Sequence, residues 1–96
     1  MLTHIVVWKY RSDIAQVTRD EHVAGLRGVA NVVSGIESFS VGCDILRLPR
    51  SFDTGLVAVF RDRATLDAYA VHPDHVKVAD FGRSISETVA SVDFED

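Results

Sequence analysis

The sequence predicts a single α+β domain in which helices cover one face of an antiparallel sheet, and three observations lead to this fold class. The chain has 96 residues, the size of one domain. Four segments have the β-branched or alternating pattern of strands, and segments of helical periodicity separate them. No internal repeat, linker or low-complexity tract divides the chain.

The first part of the chain is predicted to contain two strands and one helix. Leu2–Tyr10 is rich in β-branched and aromatic residues, which favour a strand. Thr18 and Glu21 have the spacing of a capping box, so a helix is expected to begin there and to end at Gly35 as a C′ glycine. Its apolar stripe is expected to contain Val23, Leu26, Ala30 and Val33. The second strand is predicted at about Glu37–Cys43, where polar and apolar residues alternate.

The middle of the chain is predicted to be a loop, a strand and two helical stretches. Asp44–Phe52 lacks a regular pattern, whereas Thr54–Arg61 contains an unbroken apolar run. Asp62 is a candidate N-cap for a short helix that ends near His72. Pro73 disfavours the α conformation at His72 and suits the first turn of a second helical stretch, which is expected to continue to about Ser86.

The last segment, Thr88–Phe94, is predicted to be a fourth strand with Ala90, Val92 and Phe94 on one face. The order is therefore β-α-β-β-α-β with an antiparallel sheet, which is the ferredoxin-like arrangement. Strands one and three are apolar on both faces, although a sheet with one wet face should alternate between apolar and polar residues. A second copy of the same sheet is the simplest cover for such a patch, so we predict a homodimer that forms a dimeric α/β barrel.

The composition of the chain indicates which partners are unexpected and in which cellular compartment the protein is expected. The formal net charge is −4, and the ten Lys and Arg residues are scattered, so nucleic acid and anionic membranes are not expected as partners. Cys43 is the single cysteine and cannot form an intrachain disulfide, which fits a reducing compartment. No apolar run is long enough for a signal sequence or a membrane span, so a cytoplasmic location is expected.

Several strings resemble the stress-responsive A/B barrel (Dabb) domain family over nearly the whole chain. They are the first strand with His4, the string Val41-Gly-Cys-Asp44, the string Leu56–Asp62, and Tyr69-Ala-Val-His72-Pro73-Asp74-His75. The resemblance implies one domain over residues 1–96 and agrees with a dimeric barrel.

The resemblance also implies roles for individual residues. One enzyme of the family is a plant polyketide cyclase. By similarity to it, His75 is the general base, Tyr69 positions the substrate and His4 is the first-strand histidine. Leu26 stands where that enzyme has a pocket tyrosine, which argues against the same substrate. The remaining ligand-binding candidates are Val6, Trp8, Leu26, Phe60 and His72.

Each candidate also has a structural alternative. His4 lies on the face of Val6 and Trp8, which we assign to the barrel interior, although a cavity under the chain's own helices stays open as an alternative. Trp8 and Phe60 are expected to be core residues first, and His72 is expected to brace the turn before Pro73. We expect His22 to be a solvated surface residue of the first helix.

No cofactor or metal is expected. His4, His72 and His75 do not share one helical face, and no carboxylate or thiolate completes a zinc site. Some members of the family that the chain resembles hold a magnesium ion on main-chain carbonyls, here around Ala30–Ile36, and since such ligands leave no side-chain signature the sequence neither supports nor excludes that ion. Two functions follow: a homodimer that binds a small apolar ligand, or a cofactor-independent cyclase or isomerase with a histidine base.

Overall fold

The computed structural model describes all 96 residues, Met1–Asp96. The elements in chain order are β1 (Leu2–Tyr10), α1 (Gln16–Arg27), β2 (Ile36–Cys43), β3 (Thr54–Phe60), α2 (Arg63–Val71), α3 (Pro73–Ile85) and β4 (Ser86–Glu95). The four strands and the order of the elements confirm the predicted α+β, ferredoxin-like arrangement. The second helical region is divided in two at Pro73, as its position before a new first turn predicted.

The sheet has the order β2-β3-β1-β4, and every neighbouring pair is antiparallel. Alternate residues of β1 therefore point to opposite faces. Leu2, Trp8 and Tyr10 are buried beneath the helices, in a core completed by Val23, Leu26, Val29, Val41, Leu56, Ala58, Phe60, Tyr69, Val78 and Ile85.

The other face of the sheet has no covering layer within the chain. Ile5 lies opposite Val57 and Val92 in the register, and Thr3 lies opposite Phe94, so these side chains share one face. Val57, Val92 and Phe94 are 44, 53 and 41% exposed. The assignment of His4, Val6 and Trp8 to the barrel interior was wrong, because this register places them on the face that the chain's own helices cover.

Helix α1 begins two residues before the predicted capping box. Ala15 is its N-cap residue and offers no side-chain hydrogen bond, so Thr18 and Glu21 lie inside the first turns. Polar residues within a helix can reproduce the spacing of a capping box by chance, and here the backbone conformation at Ala15 sets the start.

Helix α1 also ends earlier than predicted. Its last residue is Arg27, and Gly28 is the C-cap residue. Residues 28–35 form consecutive turns in which Val29 is still buried, which extends the apolar pattern beyond the helix. Gly35 does adopt the left-handed conformation, with φ of 95°, but it does so at the entry to β2.

The caps of the second and third helices confirm their predictions. The Asp62 carboxylate accepts a hydrogen bond from the Thr65 N–H at 2.8 Å at the start of α2. The His72 backbone is extended, with φ of −62° and ψ of 132°, and its Nδ1 accepts from the Asp74 N–H at 3.1 Å at the start of α3. None of the three helices combines the length and the apolar content that crossing a bilayer requires.

Candidate functional site

The first component of the candidate site is His4, in the third position along β1. The antiparallel register places it between Ala58 of β3 and Asp93 of β4. Its Nδ1 is hydrogen-bonded to the Asp93 carboxylate, which fixes the orientation of the ring. Asp93 was not among the predicted site residues. Its side chain lies on the face of β4 opposite to that of Val92 and Phe94, and antiparallel pairing of β1 with β4 places it next to His4.

The second component comes from the junction of α2 and α3. Tyr69 lies on α2 and is 1% exposed, whereas His75 lies in the first turn of α3 and is half-buried. The carbonyl of Ala70 can only accept, so the 3.0 Å contact with His75 Nδ1 is an N–H donor bond. The second ring nitrogen, Nε2, therefore keeps its lone pair in the neutral imidazole.

These residues form one aromatic cluster around Tyr69. The ring centroid of Tyr69 lies 4.2 Å from that of His75, 5.2 Å from that of Phe60 and 6.2 Å from that of His4. Phe39 of β2 closes the cluster at 6.3 Å from Tyr69. The structure thus brings together His4 of β1, Phe60 of β3, Tyr69 of α2 and His75 of α3.

The surroundings tune the protonation states of this cluster. Burial lowers the pKa of His75, although the hydrogen bond to the Ala70 carbonyl acts against it, and the nearby His4 adds to the lowering. Burial raises the pKa of Tyr69 to about 12. At neutral pH the cluster therefore contains a neutral imidazole that can accept a proton and a phenol that can donate a hydrogen bond.

A cleft of about 480 Å³ opens beside His4 at the edge formed by β4 and α2. Its apolar lining is Leu2, Leu66, Ala70 and Phe94, and its polar lining is His4, Arg63, Asp67, Asp93 and Glu95. Tyr69 and His75 do not line it. The cleft therefore reaches the cluster through His4 only.

The other predicted ligand-binding residues lie elsewhere. Leu26 is a core residue of α1, with 2% of its surface exposed, and Val6 packs partly buried against the core. Trp8 is buried against His22 at a centroid distance of 5.0 Å, so it lies in a different cluster from His4. His72 caps α3, in agreement with its predicted bracing role.

The prediction for His22 was wrong, because this residue is 0% exposed. Its Nδ1 is hydrogen-bonded to the Tyr10 hydroxyl at 2.7 Å, and that hydroxyl also bonds the Thr54 hydroxyl at 2.9 Å. His22 stands four residues before Leu26, on the buried stripe of α1. The helical spacing was the signal that could have identified it, but its polar side chain and the preceding Glu21 pointed to the surface.

The chain offers few side-chain ligands for a metal ion. No group of three or more His, Cys, Asp or Glu side chains is arranged to hold an ion. The segment Ala30–Ile36 contains no carboxylate, and the Gly35 carbonyl already accepts a hydrogen bond from the Arg61 N–H at 2.8 Å. Main-chain carbonyls are hard oxygen ligands of the kind a divalent cation accepts, but without a carboxylate they bring it no compensating charge.

Comparison with protein families identifies one match. The family described as Stress Responsive A/B Barrel Domain (Dabb) matches residues 2–96. A stress-response A/B barrel domain-containing protein of Arabidopsis thaliana, DABB1, is 28% identical over 98% of this chain. The chain spans only 46% of the length of that relative. Olivetolic acid cyclase of Cannabis sativa is 25% identical over 95% of this chain and 92% of its own length.

Solved structures share the fold. A dimeric ferredoxin-like protein of unknown function from Thermobifida fusca has a TM-score of 0.90 at 17% identity, covering 99% of this chain and 90% of its own. A second dimeric ferredoxin-like protein of unknown function, from Jannaschia sp., has a TM-score of 0.84 at 29% identity, covering 99% and 98%. Both are described as dimers.

Proposed function

The chain belongs to the stress-responsive A/B barrel domain family, and from this premise we propose that it is a homodimer that binds a small, largely apolar molecule with a carbonyl or hydroxyl group. The observation that carries the proposal is the cleft of about 480 Å³ beside His4. Small-molecule sites are concave and mostly apolar, with a few oriented polar groups. Leu66 and Ala70 supply the apolar wall, and the His4 ring, held by Asp93, supplies the oriented polar group.

The homodimer is supported by the uncovered face of the sheet. This open face contains Ile5, Val7, Val57, Val59, Ala90, Val92 and Phe94, and three of these side chains are more than 40% exposed. An apolar sheet face of this kind is a typical interaction surface, and a two-fold pairing of identical faces is the commonest assembly. Similar solved structures are described as dimers. We also propose a cytoplasmic location, which the free, exposed thiol of Cys43 supports.

A pair of valine substitutions tests the dimer. Light scattering behind a sizing column should give about twice the chain mass of 10.6 kDa for the unmodified protein. Val57→Asp places a charge on the open face and should shift the protein to the monomer, because a buried unpaired carboxylate is costly. Val71→Asp is the control, since Val71 is 75% exposed on α2. A monomeric parent protein, or a dimer that survives Val57→Asp, would rule out this assembly.

A pair of leucine substitutions tests the cleft, with nonane-2,4-dione as the probe. The diketone should raise the melting temperature of the parent protein, because a ligand that binds only the folded state stabilises it. Leu66→Trp fills the cleft and should abolish the shift. Leu46→Trp is the control, since Leu46 is 68% exposed in the loop before β3. An equal shift in both variants, or none in the parent, would contradict binding in this cleft.

A second candidate function, a cofactor-independent cyclase or isomerase, is favoured by the geometry of His75 and Tyr69. The unshared Nε2 of His75 can take a proton from the carbon next to a carbonyl group, and the Tyr69 hydroxyl can donate a hydrogen bond to the enolate oxygen that forms. In a cyclisation, the enolate carbon attacks a second carbonyl, and His75 returns its proton to the alkoxide that forms. In an isomerisation, a double bond conjugated with the enolate lets His75 return the proton to the far carbon of the dienolate. A relative named as a cyclase, 25% identical to this chain, supports this reaction class.

The enzyme proposal is tested with a panel of poly-β-keto thioesters. His75→Gln and Tyr69→Phe should each lower turnover by about 100-fold or more, the scale of a lost acid–base group. His72→Asn is the control, because asparagine keeps an N-cap at that position and removes only the imidazole. Unchanged turnover in both His75→Gln and Tyr69→Phe would eliminate the mechanism.

A further inference from the structure

His22 is enclosed by three elements of the fold. It lies on α1, and its ring is 5.0 Å from the Trp8 ring and 5.6 Å from the Tyr10 ring, both on β1. Phe81 of α3 lies 6.0 Å away on another side. The residue is 0% exposed, so α1, α3 and the sheet all pack on one imidazole.

The two nitrogens of His22 have different surroundings. Nδ1 is paired with the Tyr10 hydroxyl at 2.7 Å, and the Thr54 hydroxyl completes the chain at 2.9 Å. Nε2 is buried and has no hydrogen-bond partner. It faces Gly82 of α3, where an added Cβ would lie 2.6 Å from Nε2 and 3.0 Å from the Trp8 indole nitrogen, itself a donor.

No charged group compensates a proton on this ring. Asp53, directly before β3, and Arg19 of α1 both contact Tyr10 instead: Asp53 accepts from the Tyr10 N–H at 2.9 Å, and Arg19 stacks over the Tyr10 ring at 5.1 Å. The thiol of Cys43 also lies near Tyr10. On the helix sides, Asp20 and Glu21 of α1 are exposed, and Asp80 and Arg83 of α3 pair with each other at the surface.

A protonated His22 would therefore be a buried imidazolium with an N–H donor at Nε2 and nothing to accept from it. Burying such an unpaired charge is strongly unfavourable unless the structure opens. Burial accordingly lowers the pKa of His22 to about 4. The neutral ring, in contrast, is held by a hydrogen bond that joins α1 to β1 and by packing against α3.

We propose that His22 is an acid-sensitive latch, whose protonation expels the imidazole from the core and releases α1 from α3 and β1. The latch is distinct from the cleft beside His4, because none of its residues lines that cleft. Its first effect falls on the contact between α1 and α3, where Gly25 packs against Val78 so closely that an added Cβ would lie 2.9 Å from the valine Cγ2.

Trp8 provides a direct readout, because it is the single tryptophan and lies in contact with the His22 ring. Emission of the full chain is recorded from pH 7 to pH 3. A protonated imidazole quenches indole emission, and exposure shifts the emission to longer wavelength, so the parent protein should show a reversible transition with a midpoint near pH 4. His22→Phe and His22→Gln remove the titrating ring and should move the transition to a pH at least one unit lower. His75→Gln is the control and should leave the midpoint in place.

Histidine-selective NMR of the parent protein shows whether His22 is the group that titrates. It needs no variant, so the test holds even if one of the His22 variants fails to fold. The Cε1–Hε1 signal of His22 should titrate with the same midpoint as the Trp8 emission. A transition at unchanged pH in the His22 variants would overturn the latch. So would a His22 signal that titrates near its ordinary value while the Trp8 emission stays constant.

Discussion

Two clusters on the helix-covered side of the sheet each pair a tyrosine with a histidine, and they differ in burial and in hydrogen bonding. At one end of the sheet, Tyr69 and His75 lie with His4 next to an open cleft. At the other end, Tyr10 and His22 lie fully within the core. Burial lowers the pKa of both His22 and His75, but His22 is fully buried whereas His75 is only partly buried.

The difference follows from where each histidine lies in its helix. His75 is in the first turn of α3, at the rim, where its Nδ1 can reach the Ala70 carbonyl of the preceding helix. His22 is in the middle of α1, on the stripe that packs against the sheet. The same pair of residue types therefore forms a partly open cluster at the rim and a closed, hydrogen-bonded cluster in the centre.

The largest expected effect at neutral pH is a loss of stability when the close packing of Gly82 against His22 is disturbed. Gly82→Ala should destabilise the chain by about 1–3 kcal/mol, because the added methyl group lies 2.6 Å from His22 Nε2 in a site that cannot expand. Urea unfolding measures this loss. Combining Gly82→Ala with His22→Asn, whose side chain is smaller, should cut the cost by at least half. A cost that is the same in both backgrounds would mean that Gly82 is not held against His22.

The same substitution in both tyrosines gives the next largest contrast. Tyr10→Phe should cost about 1–2 kcal/mol, because it leaves the buried His22 and Thr54 groups without their shared partner. Tyr69→Phe should change stability by less than about 0.5 kcal/mol, a typical value where no hydrogen-bond network is broken. Equal losses of unfolding free energy would contradict a hydrogen-bonding role for Tyr10 that Tyr69 does not share.

The third expected effect, the pH dependence of stability, is absent near neutral pH and grows as the pH falls. The pKa of His22 is lowered to about 4 in the fold, whereas the unfolded chain binds a proton near pH 6.5. Stability should therefore be constant above about pH 6.5 and fall as the pH decreases towards 4, since only the unfolded state takes up the proton in that window. The difference in unfolding free energy between the parent and His22→Phe should show this slope. A flat difference would contradict a neutral, buried His22.

The sequence predicted the strands, the caps at Asp62 and His72, and the apolar face that needs a cover, because local pattern carries that information. It did not predict the partner of His4, since pairing Asp93 with His4 depends on the register of two strands almost ninety residues apart. It also misassigned His22, because a polar residue beside Glu21 looks like a surface position until Tyr10 and Thr54 supply its hydrogen-bonding chain. Tertiary contacts of this kind leave little trace in local periodicity.

We expect the small molecule to bind in the cleft beside His4, and not at the His22 cluster in the core. Histidine-selective NMR resolves the four histidines of the chain in a single spectrum, and nonane-2,4-dione can be added in steps. The His4 signal should shift in a saturable manner while the His22 signal stays unchanged, because only His4 lines the cleft. A shift of His22 alone, or saturating diketone without any change at His4, would contradict binding in this cleft.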